Sequence, residues 1–193
     1  NPHPRWLGYG VKGTGHLKWG RSLLQDLGIN KINFDSTKTI LIHKDFKVDL
    51  TSFKSGLPTT TSEITCFTDG SKLNQHTGYG FGIFKDMSVL TEENGYLGEE
   101  ASVFQGEILG IQRACSQLFN SNAKSVTIFS DSQSALASLA NWKVESKAVE
   151  KCINSLNLLS QETEVDLKWV RGHAGNTGNE FADAMAKLGT QNF

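Results

Sequence analysis

Two apolar, β-branched runs constrain this chain more than anything else in it: Ile64-Thr65-Cys66-Phe67-Thr68 stops at Asp69, and Ser125-Val126-Thr127-Ile128-Phe129-Ser130 stops at Asp131. Runs of this length and composition read as buried strands, so each delivers one carboxylate to the rim of a sheet. Gly70-Ser71 follows the first acid, and Ser132-Gln133-Ser134-Ala135-Leu136, the start of a helix, follows the second. If the two strands are adjacent and parallel, both acids emerge at the carboxyl-end edge, where open α/β sheets place their sites.

The remainder of the chain from Glu63 supplies partners for such a sheet. Gly78-Tyr79-Gly80-Phe81-Gly82-Ile83-Phe84 and a segment near Ser88 to Tyr96 follow through short, turn-like links, the pattern of an antiparallel meander. Ser102-Val103-Phe104-Gln105 is a capping box opening a helix to about Leu118, with Val103, Ile108, Ile111, Cys115 and Leu118 as its buried side. Gly106 and Gly110 within it each cost about 1 kcal/mol relative to Ala, which close approach to the sheet would justify. A helix from about Ser146 to Ser160 precedes a last strand, Val165 to Val170. The loop Arg171 to Asn176 then leads into Thr177-Gly178-Asn179-Glu180, a second capping box. His76, in the turn Asn74 to Thr77, reads as a surface residue. The expectation is an α/β fold: a mixed five-stranded sheet, three antiparallel strands then two parallel, with helices on both faces and an N-terminal extension.

The extension, residues 1–60, is the least legible part, and residues 61–193 form the expected domain. Trp19, Leu23 and Leu27 make one stripe of an amphipathic helix ended by Gly28, Thr39 to His43 is β-like, and Ser55 to Ser62 reads as a linker. Residues 1–60 hold nine Lys/Arg against four Asp/Glu, and residues 61–193 hold ten against sixteen. The basic extension therefore suits phosphate contacts, or else a solvated connector. His3, His16 and His43 have no metal-ligand spacing. Cys66, Cys115 and Cys152 lie apart within apolar patterns and suit reduced core thiols. No run approaches the roughly 18 apolar residues of a membrane span. The chain begins Asn-Pro-His-Pro with no initiating Met and no basic-then-apolar leader, so it is read as a fragment cut from a longer polypeptide whose natural address is hidden; with no signal peptide or membrane span, the expectation is an intracellular one, cytoplasmic or nuclear.

Two further acids belong with the first pair. Glu107 lies in the second turn of its helix, and Asp183 lies two turns into the final one, on the face of Asn179. Any one of the four reads equally as a cap or turn former; together they would repel strongly unless a cation joins them. Asp and Glu are hard oxygen ligands with no Cys or His at zinc spacing, which points to Mg²⁺ or Mn²⁺. Two such ions about 4 Å apart activate a water and stabilise the leaving oxygen of a phosphodiester. His173, flanked by glycines, is either a proton carrier near neutral pH or an exposed loop histidine.

Phe67-Thr68-Asp69-Gly70-Ser71, Gln105-Gly106-Glu107, Ser130-Asp131-Ser132-Gln133 and Trp169-Val170-Arg171-Gly172-His173-Ala174-Gly175 through Gly178-Asn179-Glu180-Phe181-Ala182-Asp183 resemble the type I ribonuclease H family in order and spacing, from about Ile64 to Leu188. The resemblance implies the ribonuclease H-like fold and hydrolysis of the RNA strand of an RNA–DNA hybrid, leaving 5′-phosphate and 3′-hydroxyl ends. It implies catalytic roles for Asp69, Glu107, Asp131, Asp183 and His173, and two Mg²⁺ ions. Asp69 would bridge both metals, Asp183 would complete the site of the water-activating one, Glu107 and Asp131 would hold the other, and His173 would assist proton transfer or product release from a mobile loop.

Two departures qualify the likeness. Cellular members usually carry an Asn pair before the helix glutamate; Val103-Phe104-Gln105 stands there, similar to the versions in retroelement polyproteins. The short link Ala140 to Glu145 replaces the basic handle of many cellular enzymes. These features point to a non-long-terminal-repeat retrotransposon source with an attached reverse transcriptase domain as partner. The alternatives are a free-standing cellular ribonuclease H and a catalytically silent connection or nucleic-acid-binding module.

Overall fold

The computed structural model describes Asp35, residues 38–52 and residues 60–192; the Trp19/Leu23/Leu27 stripe, His3, His16 and most of the Ser55 to Ser62 linker lie outside them. β1 (Ile40–Leu41) and β2 (Lys47–Asp49) come from the extension. β3 (Ile64–Leu73), β4 (His76–Lys85) and β5 (Ser88–Gly98) form the expected meander. α1 (Val103–Leu118), β6 (Ser125–Ser130), α2 (Gln133–Ala140), β7 (Lys143–Val144), α3 (Lys147–Ser160), β8 (Glu164–Trp169) and α4 (Thr177–Gly189) complete the order.

The main sheet runs β2-β8-β6-β3-β4-β5. β3, β4 and β5 pair antiparallel, whereas β6 pairs parallel to β3 and β8 parallel to β6. The five expected strands are all present, and β2 adds a sixth, parallel to β8 with Lys47 opposite Asp166. The hydroxyl of Ser52 extends that contact by accepting the Trp169 N–H at 2.8 Å. β1 pairs antiparallel with β7 in a separate two-stranded sheet. Among the described residues no helix is long and apolar enough to cross a membrane.

Each hairpin turns on two residues in left-handed backbone, Asn74-Gln75 (φ 48° and 71°) and Asp86-Met87 (φ 48° and 64°), which matches the twist of the flanking strands. His76 consequently opens β4 rather than lying in the turn, and its Nδ1 meets the Tyr96 hydroxyl at 2.8 Å. The capping box of α1 forms as expected: Ser102 Oγ accepts the Gln105 N–H and Gln105 Oε1 accepts the Ser102 N–H. Within that helix Ile108, Ile111, Cys115 and Leu118 are buried, but Val103 is 41% exposed, because it occupies the first turn and faces outward. α4 has no capping box at Thr177 and Glu180. Asn176 caps it instead, accepting the Asn179 N–H at 3.0 Å, one residue earlier than the pattern suggested.

Strand alternation separates two cores. Cys66, Ile83, Val126 and Ile128 pack with Ile108, Ile111, Leu136, Leu139, Ile153 and Leu156 of α1, α2 and α3. On the other side, Phe67, Phe129, Val170 and Ala182 form a smaller cluster. Phe67 stacks on Phe129 at 4.9 Å and meets Phe84 edge-on at 5.9 Å, geometries worth about 0.5–1.5 kcal/mol each beyond area burial. All three cysteines are buried and free, as core thiols.

Candidate active site

The parallel β3–β6 ladder ends at the pair Thr68 and Ser130, and Asp69 and Asp131 are the next residues on the two strands. Both carboxylates therefore leave the sheet at one edge. Asp69 lies opposite Gly80, and a Cβ on Gly80 would run into the Ala186 backbone of α4, so Asp69 shares the α4 face of the sheet. Gly70 points the other way. A Cβ there would lie 2.5 Å from Glu107 N and 2.8 Å from Val103 O, and one on Gly106 would lie 2.8 Å from Gly78 O. This bare crossing lets α1 sit on the strand and brings Glu107 beside Asp69. Gly110 has ordinary contacts only, its Cβ position being 3.5 Å from Asp69 O.

Asp69, Glu107 and Asp131 each present a carboxylate oxygen, and the three oxygens lie within 4.8 Å of one another. Oxygens on opposite sides of a hard cation with bonds of about 2.0–2.6 Å stand about 4–5 Å apart, so this set fits a divalent ion with little adjustment. The donors are all oxygen, with no sulfur or imidazole among them, which suits Mg²⁺ or Mn²⁺ better than zinc.

Electrostatics show what three gathered acids cost in the absence of a cation. Burial lifts the Asp69 carboxyl to about 7, the charges of Asp131 and Asp183 add to the rise, and the Gly70 N–H opposes it. Glu107 is pushed well above the usual carboxylate range, first by burial and then by the charges of Asp69 and Asp131. Asp131 is also raised by burial, while the Asn179 amide and the His173 ring pull it down. The folded chain thus keeps protons on these acids that the unfolded chain, with ordinary carboxyls, releases near pH 4. Stability without metal falls as pH rises from about 4 through about 7. A divalent ion replaces those protons, so Mg²⁺ is expected to raise the melting temperature by a few degrees at pH 8 and by less at pH 5, read by calorimetry. An effect independent of pH would count against the cluster as the ion's site.

The other two expected residues stand at the periphery of this triad. Asp183 acts on Asp69 and Asp131 through its charge, and its Oδ2 is held at 2.7 Å by Lys187, one turn later on α4. His173 is exposed, with left-handed backbone (φ 51°), in the loop facing Asp131. Ser130 and Trp169 escaped the sequence reading as supporting residues, whereas Asn179 was expected beside Asp183. Ser130 Oγ donates to Glu107 Oε2 at 3.4 Å, and Trp169 Nε1 donates to the Asp131 carbonyl at 2.8 Å. Asn179, buried, donates through Nδ2 to Asp131 Oδ2 at 3.4 Å, and its Oδ1 has no hydrogen-bond partner. For Ser130 and Trp169 the only sequence signal was proximity to the acids, which does not reveal where a side chain points.

Fold and centre together define a class: an α/β hydrolytic enzyme with an acidic, cation-competent centre at the edge of a mixed sheet. The family model of RNase H matches residues 61–191, and the chain belongs to the ribonuclease H family. It is 24% identical over 139 residues to ribonuclease H of Ruthia magnifica subsp. Calyptogena magnifica, covering 66% of this chain and 94% of that protein. It is 30% identical over 147 residues to ribonuclease HI of Vibrio parahaemolyticus, covering 68% and 92%. Among solved structures, the N-terminal RNase H domain of a Mycobacterium tuberculosis protein superposes with a TM-score of 0.57 at 20% identity, over 68% of this chain and 95% of that one. RNase H1 of the halophilic archaeon Halobacterium salinarum superposes with a TM-score of 0.56 at 19% identity, over 66% and 97%.

Proposed function

We propose that this chain hydrolyses the RNA strand of RNA–DNA hybrids, leaving 5′-phosphate and 3′-hydroxyl ends. The observation that carries the reading is the convergence of Asp69, Glu107 and Asp131, from three separate elements, within 4.8 Å at one sheet edge. Asp69, at the centre, would hold Mg²⁺, with Mn²⁺ as a substitute, together with Glu107 and Asp131, and Asp183 would complete a second ion's site once freed from Lys187. Bound there, the ions would supply an activated water and charge stabilisation for the leaving oxygen. Ser130 and Asn179 orient the carboxylates of Glu107 and Asp131, and the Trp169 indole fixes the backbone beneath Asp131. His173, exposed beside Asp131, would carry a proton to or from the reacting phosphate.

For the parent polypeptide, the free-standing cellular enzyme is the better-supported reading. Bacterial relatives spanned over nine-tenths of their length favour it over a retroelement reverse transcriptase. Phe104-Gln105 resembles the versions in retroelement polyproteins, and the short α2-to-α3 link departs from the basic handle of many cellular enzymes; a polymerase coding sequence directly upstream would restore the retroelement source and its partner domain. A silent module has little to support it, since it would have no need to gather buried acids at such electrostatic cost. The deciding assay incubates the chain with labelled RNA–DNA hybrid, double-stranded RNA and single-stranded RNA in Mg²⁺. Cleavage of the hybrid's RNA alone, abolished by chelation, is expected; tight hybrid binding without metal-dependent cleavage would favour the silent module.

A further inference from the structure

A parallel ladder ends where one of its strands turns away, and the next amide of the other strand must then find its acceptor elsewhere. β2 pairs with β8 only as far as Asp49 opposite Lys168. Beyond Asp49 the chain turns: Thr51 gives its N–H to Asp49 Oδ1 at 2.9 Å, and the Ser52 hydroxyl donates to the Asp49 carbonyl. The same hydroxyl accepts the N–H of Trp169, the residue after Lys168, at 2.8 Å. One side chain, only 6% exposed, thereby stands in for the next backbone rung.

Trp169 passes this hold on to the centre. Its indole Nε1 donates to the Asp131 carbonyl at 2.8 Å, and the side chain packs against the main core. The next amide, of Val170, donates to the Ser130 carbonyl at 3.1 Å, and Ser130 Oγ in turn reaches Glu107 Oε2 at 3.4 Å. Two residues further on, a Cβ on Gly172 would collide with Asp131 Oδ2, so the loop that carries His173 passes directly against this carboxylate. Residues 169–172 therefore touch Asp131 at its carbonyl and again at its carboxylate. An acid held at both places by one segment is placed only as well as the root of that segment, and the root is the Trp169 backbone.

We infer that Ser52 is a positioning residue for Asp131, acting through Trp169, an inference that rests on the hydrolysis reading above. The family match begins at residue 61, so this hold on the centre comes from the extension, outside the matched span. The Ser52 hydroxyl fixes the Trp169 backbone, the indole follows that backbone, and the Asp131 carbonyl follows the indole. Removing the hydroxyl takes an acceptor from the Trp169 amide and frees the segment to shift, with Asp131 and the root of the His173 loop moving together. Groups that orient a ligating residue from behind typically change metal affinity or activity by about 10- to 100-fold when lost, and a misplacement of about 1 Å is enough to do so. The extension is in this way part of the geometry of the centre.

The test uses the full chain, well below its melting temperature. Ser52→Ala is expected to lower kcat on labelled hybrid about tenfold at unchanged KM, and to weaken Mg²⁺ binding, read by calorimetry without substrate, about tenfold. Ser52→Thr keeps the hydroxyl and should restore most of both. Trp169→Phe removes the indole donor and keeps an aromatic ring in the core, so in a double-mutant cycle S52A should add little to the loss that W169F already causes. Exchange of the Trp169 indole proton, followed by NMR and assigned by its absence in W169F, should quicken in S52A. A lower melting temperature with kcat, Mg²⁺ affinity and indole exchange unchanged would make Ser52 a prop of the sheet alone; it would overturn the inference and leave the hydrolysis reading standing. Fully additive losses in the cycle would overturn the route through Trp169. Absence of cleavage by the wild-type chain, together with Ser52-dependent Mg²⁺ affinity and indole exchange, would remove the hydrolysis reading and leave the positioning role. Absence of both would remove both.

Discussion

Asp69→Asn is expected to reduce hybrid cleavage by about a thousandfold or more and, at the same time, to make the metal-free protein more stable at pH 8. Both effects have one origin. Asp69 is 7% exposed and lies within 4.8 Å of two other acids, so its carboxylate is costly when ionised and indispensable once a cation arrives. Asn keeps the shape and removes the charge. Its gain is on the order of 2 kcal/mol, a fraction of what the rise of the Asp69 carboxyl to about 7 implies, because Glu107 and Asp131 relax in turn. Urea denaturation at pH 8 with chelator, beside cleavage rates in Mg²⁺, measures the two sides together. A variant that cleaves normally, or that loses stability, would remove Asp69 from the centre of the site.

Gly70→Ala, by contrast, is expected to lower stability by about 3 kcal/mol and cleavage by at least a hundredfold. The added methyl would meet the backbone of Glu107 at 2.5 Å and of Val103 at 2.8 Å, and backbone cannot rotate away as a side chain can. α1 must retreat, and Glu107 goes with it, so a misplacement of about 1 Å separates the acids. Urea unfolding and cleavage kinetics on this variant check both numbers. Wild-type stability would mean that α1 tolerates displacement, and that the glycine crossing does not position the site.

The two predictions differ in how much of them the sequence carried. Asp69 and Asp131 were legible as strand-end acids, because apolar β-branched runs stop at them. The β3–β6 register then shows why they meet: each follows the last rung of one parallel ladder. The antiparallel meander, the α1 capping box and the thiols were legible for the same reason, that local pattern and global fold agree. The contacts of Gly70 and Gly106 with each other's elements were not, since a glycine's steric role depends on what crosses it. Lys187 on Asp183 was hidden in plain view as an i, i+4 pair. β2 was invisible because three residues have no period to read, and the start of α4 was displaced by one residue because Asn176 competes with Thr177 as a cap.

β2 has one more consequence, for how the molecule keeps to itself. The family match begins at residue 61, yet the outer rim of β8 is closed by residues 47–49, with Ser52 taking the Trp169 N–H just beyond them. A chain cut to the matched span would present that rim, a row of unpaired amides and carbonyls beside Val165 and Leu167, as a template for a strand of another molecule. Residues 47–49 cover that rim, so the boundary drawn by family likeness is not the boundary at which this sheet is finished.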